Sequence, residues 1–334
     1  MTISSYQKIE TAILKVIRYY HFFDFAPSFE LIYTFFPNKI SQKELQISLD
    51  QMVKQTIIIK IKHKGINIKL DYQNNLIDYR PTTDDYSLYT LPQYSISMNK
   101  QMNKLQMTND KLRLIQPYLR IISKFPMIRM IGITGSASMG NCKKNDDIDL
   151  CIITKSKSLW FTRFICVALA KMMNLYGKQV CLNLFFDEID LTVPTQKQTQ
   201  YIGHELLQMK PIINKDNTYE RMLSTNSWIF SLFPNAKNIL SLRAHGNFTN
   251  QISSVNSRSN PTTHRTFSVN GIASSPAKRD PRNDINLLCA FIERFFKSIQ
   301  LPLIRKNKTA LLITSTQLWL FKKDFEEKIT RIIS

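Results

Sequence analysis

Residues 131–154 read IGITGSASMGNCKKNDDIDLCIIT, and they decide the fold. An apolar run from Met127 to Thr134 ends at Gly135-Ser136, and a second run, Ile148 to Thr154, is entered through acidic residues at 147 and 149. Both runs have strand character, and the small residues between them suit a turn and a short helix. Side chains alternate along a strand, so Asp147 and Asp149 share one face while Ile148 and Leu150 share the other. Two neighbouring carboxylates repel unless a cation neutralises them, and hard oxygen donors suit Mg²⁺ or Mn²⁺. Gly135 lets backbone approach a phosphate chain closely, and Ser136 adds a hydroxyl beside the N–H groups of a helix start. Lys143 and Lys144, between the two halves, are candidates to steer a triphosphate. Asp146 is one place out of phase and reads as a turn residue.

A Gly-Ser pair at the end of one strand, followed by Asp-Ile-Asp-Leu on the next, resembles the DNA polymerase beta-like nucleotidyltransferase superfamily. The resemblance covers 131–154 closely and 109–240 more loosely. Further matches at Leu159-Trp160-Phe161-Thr162-Arg163, Cys181 to Phe185, Glu205-Leu206-Leu207 and Asn226-Ser227-Trp228-Ile229 are similar to a narrower group of microbial nucleotidyltransferase-domain proteins. Those begin with a winged helix containing a turn like Phe23 to Pro27. The resemblance implies an α+β fold with a mixed-sheet palm, and an enzyme that moves a nucleoside monophosphate from an NTP to a hydroxyl acceptor with release of pyrophosphate. It makes Asp147 and Asp149 the catalytic metal ligands, Mg²⁺ or Mn²⁺ the cofactor, and Gly135, Ser136, Lys143 and Lys144 the nucleotide-binding residues.

The superfamily carries a third acidic residue on a later strand. The matching run here is Val180 to Phe185, whose polar residue is Asn183, with Asp187 and Glu188 just beyond. An amide oxygen can coordinate a metal but is a poor general base, so Asn183 as a catalytic position and Asp187 as a metal ligand both stay open. The alternative function is a weakly active or inactive nucleotide- and nucleic-acid-binding regulatory protein.

Outward from the motif, residues 1–72 predict a winged-helix domain. Helical spacing runs through Ile9, Ile13, Val16, Ile17 and Tyr20; a second helix covers Phe29 to Phe36; and Ser41 to Glu44 is a capping box opening a third. Ile57–Lys62 and Ile66–Leu70 flank His63-Lys64-Gly65 as strand, turn and strand. Residues 73–108 read as a polar linker and 109–240 as the nucleotidyltransferase domain, its first helix starting near Asn109. Residues 241–284 read as a basic disordered insert, and 285–334 as a small C-terminal unit with a helix, a strand at Leu311–Thr314 and a last helix through Phe325, Ile329 and Ile332.

The chain of 334 residues carries 45 basic and 25 acidic residues, a net charge of +20 that favours polyanionic partners: a nucleoside triphosphate, and RNA or DNA through the winged helix and the insert. Five cysteines without a C-x-x-C pair suggest neither a disulfide framework nor a zinc ribbon, and Cys151 and Cys181 read as small core residues. Leu159 to Tyr176 is interrupted by Arg163 and Lys171 and reads as a buried helix, not a membrane span. No signal peptide is visible, which makes the cytoplasm the expected compartment.

Overall fold

The computed structural model describes residues 3–71, 76–94, 98–237, 281–307, 310–321 and Ile329. The chain opens with α1 (Ile3–Phe22), α2 (Phe29–Thr34) and α3 (Gln42–Lys54). The apolar spacing is realised: Ile13, Ile17 and Tyr20 of α1 and Leu45, Leu49 and Met52 of α3 are fully buried. Ser28 and Ser41 cap α2 and α3, their hydroxyls accepting from Leu31 N at 3.2 Å and Glu44 N at 3.1 Å.

Next comes one long antiparallel ladder, β1 (Ile59–Asp71) with β2 (Leu76–Thr90). The turn expected at His63-Lys64-Gly65 is not formed. β1 runs through it with a register shift between Lys64 and Ile66, because a glycine inside a strand accommodates a bulge as readily as a turn. The segment read as linker is likewise structured: β2 fills much of it, and α4 spans Met98–Ile122 instead of starting near Asn109. The first turns of α4 lack apolar periodicity because their polar side chains are buried against other segments. Gln101 donates to the Ala26 carbonyl at 3.4 Å and Lys104 to the Asp24 carbonyl at 2.6 Å.

The remaining elements are β3 (Ile128–Thr134), α5 (Gly135–Ser138), β4 (Ile148–Thr154), α6 (Leu159–Met172), β5 (Val180–Asp187), α7 (Gln200–Gln208), β6 (Lys210–Asn214), α8 (Thr218–Thr225), α9 (Trp228–Leu232), α10 (Pro281–Asn307), β7 (Ala310–Ile313) and β8 (Gln317–Phe321). They build a six-stranded mixed sheet in the order β6-β3-β4-β5-β8-β7. β4 and β5 are parallel, joined by a crossover through α6, and the other neighbours are antiparallel. The C-terminal strands therefore extend the central sheet, β8 pairing with β5, and do not stand apart as a small unit. Residues 241–280 of the expected insert and the last helix, apart from the buried Ile329, lie outside the described residues.

Strand alternation sends successive side chains to two cores. Ile131, Ile152 and Phe185 pack with α4 and α6, while Met130, Ile153 and Phe186 pack on the side of α1–α3 and α7–α9. Leu159–Met172 is a buried helix, as its composition predicts. Arg163 is buried and donates to Gln300 of α10 at 2.6 Å, and no helix among the described residues is long and apolar enough to cross a membrane.

The N-terminal helices are seated on the sheet unit through His204 of α7. Its ring is stacked between Tyr19 at 3.7 Å and Phe35 at 3.9 Å. Asn235 accepts from Ile40 N at 3.2 Å and donates to the Asn38 carbonyl at 2.9 Å, and Gln208 donates to the Tyr20 hydroxyl at 2.7 Å. Burial holds His204 well below its usual range, with Nδ1 lacking a hydrogen-bond partner. The folded protein requires this ring neutral, whereas the unfolded chain protonates it below about pH 6.5. Its contribution to stability is therefore complete above pH ~6.5 and falls on acidification by at most about 1.4 kcal/mol per pH unit. His204→Phe keeps the stacked ring and removes that loss. Denaturant unfolding at pH 7 and pH 5 is expected to show a smaller drop for the variant, and equal drops would contradict the assignment.

Candidate metal centre

The β3–β4 ladder sets Thr134 opposite Asp149, and the parallel β4–β5 ladder sets Cys181 opposite Asp149 on the other side. Asp149 is thus clamped by pairing on both flanks. Asp147 precedes the first residue of β4, two places earlier and on the same face. The ligand atoms of Asp147, Asp149 and Cys181 all lie within 4.8 Å of one another, the carboxylates partly exposed and the thiol buried. A divalent ion with metal–oxygen distances near ~2.1 Å and a metal–sulfur distance near ~2.3 Å draws its donors to roughly 3–4 Å apart. Small side-chain movements therefore suffice, and the donor set fits such an ion.

Asn183 owes its position to a bulge. The register passes from Leu150 opposite Leu182 to Cys151 opposite Leu184, leaving Asn183 as the extra residue of β5. A bulge re-aims a side chain at the cost of one ladder position. Here Asn183 is buried, its Nδ2 donates to Asp149 Oδ1, and its Oδ1 accepts from the Cys181 thiol at 2.7 Å. The sequence reading assigned Cys181 to the core; the structure adds that its sulfur faces the two carboxylates.

Asp187 is not brought to this group. It pairs with Thr154 at the opposite end of β4, five residues and about 17 Å from Asp149. Its carboxylate accepts from Lys157 N at 2.9 Å and Ile189 N at 3.1 Å, and burial raises its pKa. Glu188 is also at that end, paired with Arg129 at 2.9 Å. The start of α6 nearby is closed by Glu293 of α10, which accepts from Trp160 N and Phe161 N, each at 2.9 Å. These carboxylates organise the helix start and lie remote from the Asp147–Asp149 pair.

Gly135 follows β3 with φ +63°, and a Cβ there would fall 2.7 Å from Asp149 Oδ2. Its N–H donates to Glu205 Oε2 of α7 at 3.0 Å, and burial pushes that carboxyl up to about 7. Gly135 therefore serves the site through its conformation and missing side chain; its amide already has a partner. Ser136 donates to Asp146 Oδ2 at 3.3 Å, and the same oxygen accepts from Lys143 N at 2.9 Å, so Asp146 is the turn residue its phase predicts. The loop is fixed from α4: Thr108 accepts from Cys142 N at 3.0 Å, and Lys111 donates to the carbonyls of Lys144 at 3.0 Å and Asp146 at 2.7 Å. The side chains of Lys143 and Lys144 are exposed at the loop surface. Sequence reasoning missed Cys181 as a site residue and the Glu205–Gly135 contact, since both depend on strand register and packing between distant segments.

No protein-family model and no curated protein matches the chain. Among solved structures it is similar to one described as a toxin-antitoxin with AMP-PNP, at 18% identity and TM-score 0.23, over 42% of this chain and 92% of that one. It is also similar to a mutant of the toxin-antitoxin MntA-HpeT, at 14% identity and TM-score 0.21, over 43% and 93%. Both likenesses are too low to assign a fold by themselves.

Two glycines separate the two demands on Gly135. Gly177 also has positive φ, +72°, but a Cβ there meets nothing within 4 Å. Gly177→Ala is expected to cost about 1–2 kcal/mol from backbone strain alone. Gly135→Ala is expected to cost at least about 1 kcal/mol more by denaturant unfolding, because it also displaces Asp149. Equal losses would mean that Asp149 is not pressed against Gly135.

Proposed function

We propose that the chain is a metal-dependent nucleotidyltransferase with a polymerase beta-like palm, transferring a nucleoside monophosphate from an NTP to a hydroxyl with release of pyrophosphate. The observation that supports it most is the convergence of Asp147 and Asp149 at the end of β4, directly beside the Gly135-Ser136 turn that ends β3. A divalent ion bound there, Mg²⁺ or Mn²⁺ on this reading, would draw charge from the reacting phosphoryl group and favour ionisation of the acceptor. Asp147 and Asp149 hold the ion. Ser136 and the side chains of Lys143 and Lys144 receive the triphosphate, the lysines swinging in from the loop surface. Asn183 fixes the rotamer of Asp149 by its hydrogen bond.

Residues 1–72 are read as a winged-helix unit whose ladder is completed by β2 beyond residue 72, and 109–240 as the palm, whose sheet β8 and β7 extend. The supporting features are three helices followed by an antiparallel ladder, and the β3–turn–β4 unit with its crossover to a parallel strand. The net charge of +20 supports RNA or DNA as a partner of the N-terminal and basic segments.

One observation favours a second reading. The residue aimed at Asp149 from β5 is an amide, and neither Asp187 nor Glu188 is at hand to act as a base. A regulatory protein that binds nucleotide without turning it over would have this arrangement, and would bind NTP with metal but release no pyrophosphate.

Transfer of label from each α-³²P-NTP, with Mg²⁺ or Mn²⁺ and with RNA, protein and small-molecule acceptors, distinguishes the two. Labelling of one acceptor class, reduced at least about 100-fold in Asp149→Asn, is the expected result. Unchanged labelling in that variant would refute the site. Metal-dependent NTP binding with no label in any acceptor would establish the second reading.

A further inference from the structure

The metal site of the proposed function has a third donor that changes which ion it prefers. We propose that Cys181 Sγ completes a two-carboxylate, one-thiolate site that holds borderline-soft divalent ions such as Co²⁺ and Zn²⁺ more tightly than Mg²⁺. The inference rests on the reading of Asp147 and Asp149 as metal ligands and goes beyond it in donor set and ion class.

Three observations carry it. The Cys181 sulfur and the Asp147 and Asp149 oxygens lie within 4.8 Å of one another, a spacing that a bound ion closes with small side-chain movements. The parallel register sets Cys181 opposite Asp149, so sulfur and carboxylate meet by backbone pairing and not through a mobile loop. The bulge at Asn183 then commits the next residue on that face to both groups at once, through Nδ2 to Asp149 and Oδ1 to the thiol. Asp187, the other acidic candidate on β5, is paired with Thr154 at the far end of β4.

The chemistry follows from the donors. Carboxylates alone suit Mg²⁺ and Mn²⁺, whereas a thiolate is a soft ligand and shifts preference along the first-row series toward Co²⁺ and Zn²⁺. Binding displaces the thiol proton to solvent and forms a metal–sulfur bond, with no change of oxidation state. Asn183 accepts a hydrogen bond from the neutral thiol; with the ion bound, the metal takes the place of that hydrogen on sulfur, and Nδ2 keeps its bond to Asp149. The remaining cysteines are outside this donor set: Cys151 and Cys166 are fully buried in the cores, Cys142 lies in the neighbouring loop facing Ser136 at 3.7 Å, and Cys289 is half-buried on α10.

The test is optical and thermal and needs no enzymatic activity. Full-length protein, stripped of metal, is titrated with Co²⁺, and its melting temperature is recorded with Co²⁺, Zn²⁺ or Mg²⁺ at equal concentration. A near-ultraviolet sulfur-to-cobalt charge-transfer band is expected in the wild type. It should be absent from Cys181→Ser and from Asp147→Asn/Asp149→Asn. Cys181→Ser should lose at least about tenfold in Co²⁺ affinity while its Mg²⁺ affinity stays within about twofold. Cys181→Asp should bind Mg²⁺ more tightly than the wild type and show no band, which keeps the test open should the serine variant fail to fold. Cobalt binding that depends on the two aspartates but gives no thiolate band would overturn the proposal and leave the carboxylate site standing. A band that persists in Cys181→Ser would assign it to another thiol and overturn the proposal as well. Absence of binding by all three ions would overturn both the proposal and the metal reading beneath it.

Discussion

Asp149 lies between two strand pairings, opposite Thr134 of β3 on one side and Cys181 of β5 on the other. Its backbone moves only if a ladder is disturbed, and its carboxylate is held on that fixed backbone by the hydrogen bond from Asn183 Nδ2. The same constraint explains Gly135, where a methyl group would collide with the Asp149 side chain. It also explains the polar scaffold around the turn. Glu205 from α7 takes the Gly135 N–H, and Thr108 and Lys111 from α4 hold the loop that leads to Asp147. Repulsion between neighbouring carboxylates is offset by packing and hydrogen bonds made elsewhere, as strained functional sites require.

α4 joins this end of the sheet to the N-terminal helices. Its first turns bind the turn at Asp24, where Lys104 makes a 3.0 Å ion pair, and its middle, through Thr108 and Lys111, binds the loop between Cys142 and Asp146. Asn141 adds a direct bond to the Phe23 carbonyl at 2.8 Å. Together with the stacked His204, these contacts make the N-terminal helices part of the support of the site. A mutation in α1 or α2 can thereby reach the candidate metal centre without touching it, through the position of the 141–146 loop. The sheet's other end has its own use of acid: Asp187 and Glu293 satisfy backbone N–H groups around the start of α6, a role at helix N-termini that carboxylates fill without any ligand.

The parts legible in the sequence are those written in short-range periodicity. The strand–turn–strand of 127–154, the helical faces of Ile13, Ile17 and Leu45, Leu49, the serine cap at Ser41 and the buried character of 159–172 all follow from neighbours a few residues apart. The long β1–β2 ladder was missed because Gly65 reads equally as a turn, and the early start of α4 because Gln101 and Lys104 hide their partners eighty or so positions away. For the site, Asp147, Asp149, Gly135 and Ser136 were visible as a pattern. Asp187 was placed wrongly by proximity in sequence: β5 carries it along the sheet away from Asp149, while Cys181 and the bulged Asn183 arrive beside it. Register, including a one-residue bulge, is a property of two strands at once and is not written in either alone.

Anomalous diffraction directly locates the ion proposed between Asp147 and Asp149. Crystals grown with Mn²⁺ and a non-hydrolysable NTP should give a manganese peak about 2.1–2.3 Å from an oxygen of each aspartate, with the triphosphate beside Gly135-Ser136. A peak confined to the Asp187, Glu188 and Glu293 end of the sheet, or no peak near β4 at saturating Mn²⁺, would contradict that proposal.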